Sequence, residues 1–453
     1  MMAIWKQWYR GSVNDFHFYS VKMVDGKTKL KERKTLNMPK KLCEDFSKLE
    51  WSEKVEIKLD TEESTNKLLD ILNSKENAFN VNFPIFLEKE YALGTMATVE
   101  YIKDGRTIID YIDGDVILPY KYTNSYIYGI VTVSRTTEGT DNKKKYYTLL
   151  TYHEYENGKY MINNELYLSR EENSLGREVS FKEKYPNVKE YDVIVTKHPR
   201  FQVWKLPIAN NFDTGSPLGI SVLANQLDKF KSIDIKYDSF NHEFSSGKRR
   251  VMIDKTAVKS DVTGVDENGA PVMVSYFDTD DDVYVAIKGM ENQPIKDINF
   301  DLRTQQHIDA INTELNYLSA GVGLGNQFYR FDGNGLKTAT EVISQNSDTY
   351  RTMVHHRIPI YDCLYDLIAV ICEMNNIPYK EISINLDDSI IEDTDKIRQQ
   401  ALTEYNAGLI SKSEYFRITD KIGDKAATKF VDKMNKEIKK EKITDGSEFN
   451  ITE

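Results

Sequence analysis

The sequence predicts an α+β fold made of more than one folding unit, and three observations predict it. Apolar residues recur at helical steps over residues 1–94, then alternate in strand fashion from Thr95 onward. Two long amphipathic helical segments flank a second β-rich stretch at 248–296. At 453 residues the chain exceeds what a single core usually supports.

The N-terminal third opens helical. Pro39 suits a first helical turn, and Leu42, Phe46 and Leu49 follow at helical spacing. Phe79 to Leu93 is a further helix, closed by Gly94. The next segments, 95–103, 106–112, 126–135, 146–155 and 159–168, are rich in Tyr, Ile, Val and Thr. Asp104-Gly105, Asp113-Gly114 and Asn157-Gly158 punctuate them, which reads as an antiparallel β region.

Ser216-Pro217 then offers an N-cap followed by a first helical residue. Leu223, Leu227, Phe230, Ile233, Tyr237, Phe240 and Phe244 form one stripe, and Gly247 ends it. A helix over 217–247 would be roughly 45 Å long at about 1.5 Å per residue. Residues 248–296 return to strand-like runs. Asp301 to Ala320 is a second rod with Ile308, Ile311, Leu315 and Leu318 on one face.

A glycine-rich loop follows, with Gly321, Gly323, Gly325, Gly333 and Gly335. Thr338-Ala339-Thr340-Glu341 is a capping box that opens a very long helix to about Met374. Its predicted apolar stripe is Val342, Tyr350, Val354, Ile358, Tyr361, Tyr365, Ile368 and Cys372. Pro359 removes the bond to the His355 carbonyl, so a kink is expected there. A short strand near 381–385 and helices near 394–406, 412–422 and 424–440 complete the chain. The last ten residues are expected to be disordered. No internal repeat is visible.

Composition narrows the function. Apolar residues at 40% and charged residues at 29% describe a globular protein. The net charge of -11 disfavours a protein that grips nucleic acid tightly by its phosphates, although DNA could still slide past it. Cys43, Cys363 and Cys372 are odd in number and widely spaced, which fits a reducing compartment and packed thiols. The start of the chain lacks the apolar core of a signal peptide, and the run Leu367 to Cys372 is too short to span a bilayer. Synthesis in the cytoplasm without membrane insertion is expected.

The residues offer little chemistry. Gly335-Leu336-Lys337-Thr338 lacks the glycine directly before lysine that a phosphate-wrapping loop needs. Gly321-Val322-Gly323-Leu324-Gly325 lacks the third glycine spacing and the strand of a dinucleotide site. Asp278, Asp280 and Asp282 have calcium-loop spacing, but Val283 stands where the turn needs glycine. His355 and His356 have no Cys, Asp, Glu or further His three or four residues away. No catalytic residue, cofactor or metal site is expected. Two basic runs remain. Lys143-Lys144-Lys145 reads as a solvated hairpin tip. Lys248, Arg249 and Arg250 suit a helix C-terminus and are also candidates for contact with a partner or a DNA backbone.

The order of these elements resembles the portal proteins of tailed, siphovirus-like phages of Gram-positive bacteria. The resemblance covers about residues 5–420 and rests on several stretches. They are Trp8-Tyr9-Arg10-Gly11, Leu36-Asn37-Met38-Pro39-Lys40, Ala92-Leu93-Gly94 and Pro207-Ile208-Ala209-Asn210-Asn211. Ser216-Pro217-Leu218-Gly219-Ile220-Ser221, Lys337-Thr338-Ala339-Thr340-Glu341-Val342 and Asn346-Ser347-Asp348-Thr349 complete the set.

The resemblance implies a portal fold. It would have a helical and β wing (1–215), a first stem helix (216–247), a small α/β clip (248–297) and a second stem helix (298–320). A tunnel loop (321–336), a long kinked wing helix (337–390) and a helical crown (391–453) would follow. It implies a non-enzymatic subunit of a dodecameric ring at one capsid vertex, through which double-stranded DNA passes without tight binding. The implied partners are further copies of the chain, the terminase large subunit, head–tail connector proteins, and the major capsid and scaffolding proteins. In the tunnel loop Gly321, Gly323 and Gly325 would allow several backbone conformations, with Asn326, Gln327, Tyr329 and Arg330 as candidates to meet DNA. Another virion structural protein is the nearest alternative, and a packaging enzyme or a cellular scaffold the more distant ones.

Overall fold

The computed structural model describes residues 1–22, 26–51, 55–140, 144–247, 250–254, 260–265, 271–275, 284–287, 295–298, 301–331, 339–386, 394–419 and 431. The helix α1 (Met2–Tyr9) buries Trp5 and Trp8. A single turn, α2 (Asn14–His17), leads into a hairpin of β1 (Phe18–Lys22) and β2 (Thr28–Glu32), in which Tyr19 lies opposite Lys31. The helix α3 (Met38–Glu50) has Pro39 in its first turn and buries Leu42, Cys43 and Phe46. The strand β3 (Glu56–Leu59) precedes α4 (Glu62–Leu72), whose first turn is capped by the Thr61 hydroxyl accepting from Ser64 N at 3.2 Å.

The helix α5 (Phe79–Leu93) is mostly buried, with Phe79, Phe83, Phe86 and Leu87 stacked into the core. It ends at Gly94 in the left-handed conformation, φ 79°. The β region is antiparallel as expected. A three-stranded sheet runs in the order β12 (Phe201–Lys205), β4 (Thr95–Lys103), β5 (Arg106–Asp113). A larger sheet holds β6 (Ile117–Thr123), β7 (Tyr126–Glu138), β8 (Lys145–Glu156), β9 (Lys159–Ser169) and β10 (Arg177–Val179), with β11 (Tyr191–Val195) also on β9. Asp104-Gly105 and Asn157-Gly158 make the tight turns, both residues of each pair at positive φ. Asp113-Gly114 instead leads into a short 3-10 turn that carries the chain from one sheet to the other.

The first rod is shorter than its sequence pattern predicts. The helix α6 runs from Leu227 to Ser246, so it is roughly 30 Å long. Residues 216–226 are not helical because their polar groups bond elsewhere. Gly219 N donates to Thr95 Oγ1 (2.9 Å), Ser221 Oγ to the Tyr91 carbonyl (2.9 Å), and Leu223 N to Ser221 Oγ (3.0 Å). Gly219 also lies so close to the Gly94 carbonyl that a Cβ would be 2.5 Å from its oxygen. Tertiary contact there overrides a good capping sequence.

Beyond α6 the described residues form β13 (Arg250–Asp254), β14 (Ser260–Val265), β15 (Pro271–Ser275), β16 (Tyr284–Ile287) and β17 (Ile295–Ile298). The strand β13 pairs parallel with β16 and antiparallel with β17, while β14 and β15 pair with each other. A mixed α/β clip was expected; among the described residues of 248–297 only strands occur.

The second rod is α7 (Thr304–Gly321), and the long helix is α8 (Ala339–Met374), which contains Pro359 and runs through it. Its buried stripe overlaps the predicted one only in part. Met353, Ile360, Leu364, Leu367, Ile368 and Ile371 face the core, whereas Val354, Ile358 and Tyr361 are exposed. Of the predicted stripe, Ile368 and Cys372 are buried and Tyr350 and Tyr365 pack partly against the cores; apolar residues lie on both faces of this helix, so periodicity alone separated them only in part. The strand β18 (Ile382–Asn385) pairs with β3, tying the end of the chain's long helix to its N-terminal third. The helices α9 (Thr394–Asn406) and α10 (Lys412–Thr419) follow. Glu414 N donates to Ser411 Oγ at 3.1 Å, as the box at 411–414 predicts. The helix expected at 424–440 and the final ten residues lie outside the described residues.

Two main cores result. One packs α4, α5 and the second half of α8 around Phe83 and Trp204. The other packs α1, α3, α6 and α7 around Phe230, Ile233, Ile311, Leu315 and Leu318, and includes Leu324 and Tyr329 of the loop after α7.

Candidate functional site

The paired rods and the loop that leaves them form the candidate site. Alternate turns of α6 and α7 bring apolar side chains inward near the loop and polar ones together further along. Phe230 and Ile233 meet Ile311, Leu315 and Leu318. Next, Glu314 accepts from Lys236 Nζ at 2.8 Å and from Ser232 Oγ at 2.9 Å. At the end nearest the β insert, Glu243 takes a two-pronged contact from Arg303, Nε at 3.0 Å and Nη2 at 2.8 Å. The Arg303 bonds hold the Glu243 carboxyl down at about 2. Phe240 packs edge-on against Phe244, His307 and Phe331. Gly247 closes α6 against Leu302, whose Cδ2 would stand 2.2 Å from any Cβ there.

The rods are also fastened to the N-terminal segment. Asp234, buried on α6, lies 3.1 Å from His17 Nε2 and accepts from Leu36 N at 2.9 Å and Thr35 Oγ1 at 3.0 Å. Burial pushes the Asp234 carboxyl up, and these three donors pull it back only in part.

The described part of the glycine-rich loop, 321–331, is bonded down onto four elements. The Gly321 carbonyl accepts from Gln226 Nε2 at 2.9 Å. Gly323 adopts φ +77°, and its carbonyl accepts from Thr352 Oγ1 at 2.6 Å. Leu324 is fully buried, and Gly325 N donates to Thr349 Oγ1 at 3.3 Å. Tyr329 is buried, donating its hydroxyl to Asp45 Oδ2 at 3.0 Å; burial and that carboxylate push the phenol far up, so it stays protonated. Phe331 N donates to Asn312 Oδ1 at 2.8 Å.

Of the loop's polar candidates, Asn326 is exposed, while Gln327 and Arg330 are half-buried and joined by a 3.4 Å contact from Arg330 Nη1 to Gln327 Oε1. The structure therefore brings Gly321, Gly323, Gly325, Asn326, Gln327, Tyr329 and Arg330 into one folded turn at the end of the rods. Tyr329 serves as its anchor. The sequence carried no sign of that anchoring, because the partners Asp45, Gln226, Thr349 and Thr352 are polar residues scattered over three other elements.

Lys248 and Arg249 lie outside the described residues, and Arg250 opens β13. Gly335-Leu336-Lys337-Thr338 and the aspartates at 278, 280 and 282 also lie outside them. His356 is buried, with its Nδ1 3.2 Å from the Tyr91 hydroxyl; burial lowers it to about 4, so the ring is neutral. His355 Nε2 contacts the Pro207 carbonyl at 3.2 Å. Cys43 and Cys372 are buried and Cys363 is packed against the same core as Cys372. Among the described residues no group of three or more His, Cys, Asp or Glu could hold a metal ion. No helix among them is long and apolar enough to cross a membrane.

Comparison with known proteins gives one decisive match. No curated protein matches the sequence. Among solved structures, the fold is similar to a chain in the neck of a native GTA particle with C12 symmetry. That match has a TM-score of 0.38 and 11% identity, and it covers 84% of this chain and 87% of that one. The family described as phage portal protein, SPP1 Gp6-like, matches residues 3–447. That span takes in both rods, the β insert, the loop and the long helix. The chain belongs to the SPP1 Gp6-like family of phage portal proteins.

Proposed function

We propose that the chain is the subunit of a closed, dodecameric ring at one capsid vertex, and that the ring is the channel for packaging and ejecting double-stranded DNA. The observation that carries this reading is the pair α6 and α7, two antiparallel rods locked together at both ends and projecting a β insert, in a chain matched by the portal family over nearly its whole length. A ring needs a head-to-tail contact that closes, and hence two different surfaces on each subunit. Exposed apolar residues on separate elements supply material for them: Val81 and Ile85 on α5, Val354, Ile358 and Tyr361 on α8, and Ile235 and Tyr317 on the rods.

In this reading residues 248–297 form the clip on which the terminase large subunit docks, to be replaced by head–tail connector proteins. Residues 1–215 and 337–390 form the wing that meets the major capsid and scaffolding proteins, and 391–453 the crown. The loop at 321–336 borders the channel. Its anchored base fixes it to the rods, and Asn326 and Arg330 are the side chains offered to passing DNA. The chain's net charge of -11 keeps such contact weak, because each phosphate neutralised by a cation adds affinity and slows sliding. The protein contributes shape and surface; no step of bond chemistry is assigned to it.

Electron microscopy of the purified protein tests the proposal. End-on views should show rings with a central hole, and class averages should count twelve subunits. A compact monomer at high concentration would overturn it.

A further inference from the structure

The β1–β2 hairpin has a charge pattern opposite in sign to that of the chain as a whole. Residues 22–34 carry six cations (Lys22, Lys27, Lys29, Lys31, Arg33 and Lys34) against Asp25 and Glu32. This net of +4 leaves -15 on the remainder of a chain that totals -11. Elsewhere cations find carboxylates readily: Lys40 pairs with Glu88, Lys89 with Asp113, Lys236 with Glu314 and Arg303 with Glu243. Lys22, Lys29, Lys31 and Lys34 are all exposed and make no ion pair with a described residue. Every residue of β2 is exposed. Four lysines without an ion pair among the described residues, in a chain with an excess of acid, leave the ribbon basic.

We propose that this hairpin is an arm that docks on the acidic body of a neighbouring copy in the ring, with Lys29, Lys31 and Lys34 as its main contacts. The inference rests on the ring reading above. Three observations favour a second copy over duplex DNA. The cleft beside the hairpin, about 770 Å³, has Lys29, Lys31 and Lys34 on one wall and Asp238, Glu243, Arg303 and His307 on the other, with Glu243 paired to Arg303, a mixed-charge lining that suits protein side chains better than a phosphate backbone. That volume suits a few side chains and not a double helix. The opposite face of the ribbon from Lys29 and Lys31 carries Leu30, 66% exposed, and Phe18, 38% exposed, so the ribbon as a whole suits a mixed protein surface. The arm stands on a rigid base, because the segment after it is bonded to α6 through Asp234 and Asp238. Such contacts steer and orient a partner more than they add raw affinity.

The test is assembly of the full chain followed by mass photometry over a range of concentration and salt. The triple variant Lys29→Glu, Lys31→Glu, Lys34→Glu should raise the concentration for half-assembly roughly tenfold at low salt, the combined effect of three partly exposed ion pairs. That difference should shrink as salt screens the charges. The triple variant to arginine should assemble like the parent. Unchanged circular dichroism melting for both would show that the fold is intact. Single Lys31→Glu, read the same way, serves if the triple variant melts early. Parent-like assembly by the glutamate variants overturns the proposal. So does a gel shift of duplex DNA that the parent shows and the glutamate variant loses while its assembly is unchanged, which would assign the arm to DNA. A parent protein that forms no ring at all overturns the ring reading itself.

Discussion

Arg357 on α8 and Glu50 at the end of α3 stand 307 positions apart in sequence and form a buried ion pair, with the guanidinium Nε donating to Glu50 Oε2 at 2.8 Å. A second guanidinium nitrogen donates to the Leu49 carbonyl at 3.1 Å, and Tyr91 OH donates to Glu50 Oε1 at 3.2 Å. Arg357, Glu50 and Tyr91 are all buried. It joins the two cores at the point where α8 passes between them.

Removing one partner should therefore cost more than the pair's net worth. Arg357→Met leaves the Glu50 carboxylate buried beside Glu90 without its counter-charge, and about 3–5 kcal/mol of stability should be lost. Urea denaturation measures this directly. A midpoint within error of the parent would show that the pair is solvated in practice.

Glu90 adds a pH dependence. It is buried, and Oε2 has no hydrogen-bond partner among the described residues. Burial, reinforced by the Glu50 carboxylate, pushes its pKa from 4.5 to about 8. The folded value lies above the unfolded one, so Glu90's contribution is intact below pH 4.5 and is lost as pH rises toward 8. The slope is about 1.4 kcal/mol per pH unit. Relative to the parent, Glu90→Gln should gain stability steadily across that window. Denaturation at pH 5, 6.5 and 8 reads the difference; a constant gap between the two proteins would contradict the assignment.

Much of this fold was legible where local and tertiary preferences agree. The helix from Phe79 to Leu93 ends at Gly94 as its sequence says, and Asp104-Gly105 and Asn157-Gly158 turn their hairpins. Where sequence and structure part, each departure has a local physical cause. At Ser216-Pro217 the capping residues were present, but Thr95, Tyr91 and Ser221 claimed the backbone first. On α8 both faces carry apolar residues, so a 3.6-residue period could not choose between Ile358 and Ile360. The glycines of 321–325 suggested freedom, whereas Thr352, Thr349 and Gln226 hold them, and those partners have no periodic signature. The β1–β2 hairpin escaped notice because its exposed strand alternates nothing apolar.

Gly94 is a position of severe backbone crowding. It has φ +79°, and a Cβ would sit 2.1 Å from the Ile220 carbonyl carbon and 2.3 Å from Ser221 N. No side chain can rotate out of that clash, since the obstructing atoms are backbone. Gly94→Ala should lose about 3 kcal/mol or more and shift the start of the 219–223 segment. Thermal melting tests it, with Gly105→Ala as a contrast: Gly105 also has positive φ but meets nothing within 4 Å, so only the conformational strain remains.

The loop separates anchoring from contact with DNA. Tyr329→Phe removes the hydrogen bond to Asp45, a charged acceptor in a mostly buried setting, and should cost about 1.5–3 kcal/mol of stability. Asn326→Ala with Arg330→Ala should leave melting nearly unchanged, because neither side chain is in the buried core. If the loop borders the channel, that double variant should form normal rings yet retain less DNA in a packaging assay. The tyrosine variant should retain DNA normally at temperatures where it stays folded. Deleting 323–334 outright confuses the two effects, since it strips Leu324 and Tyr329 from the core along with the exposed residues. Rings that retain a full complement of protected DNA with both Asn326 and Arg330 replaced would remove the loop from the channel and leave it a structural clasp on the rods.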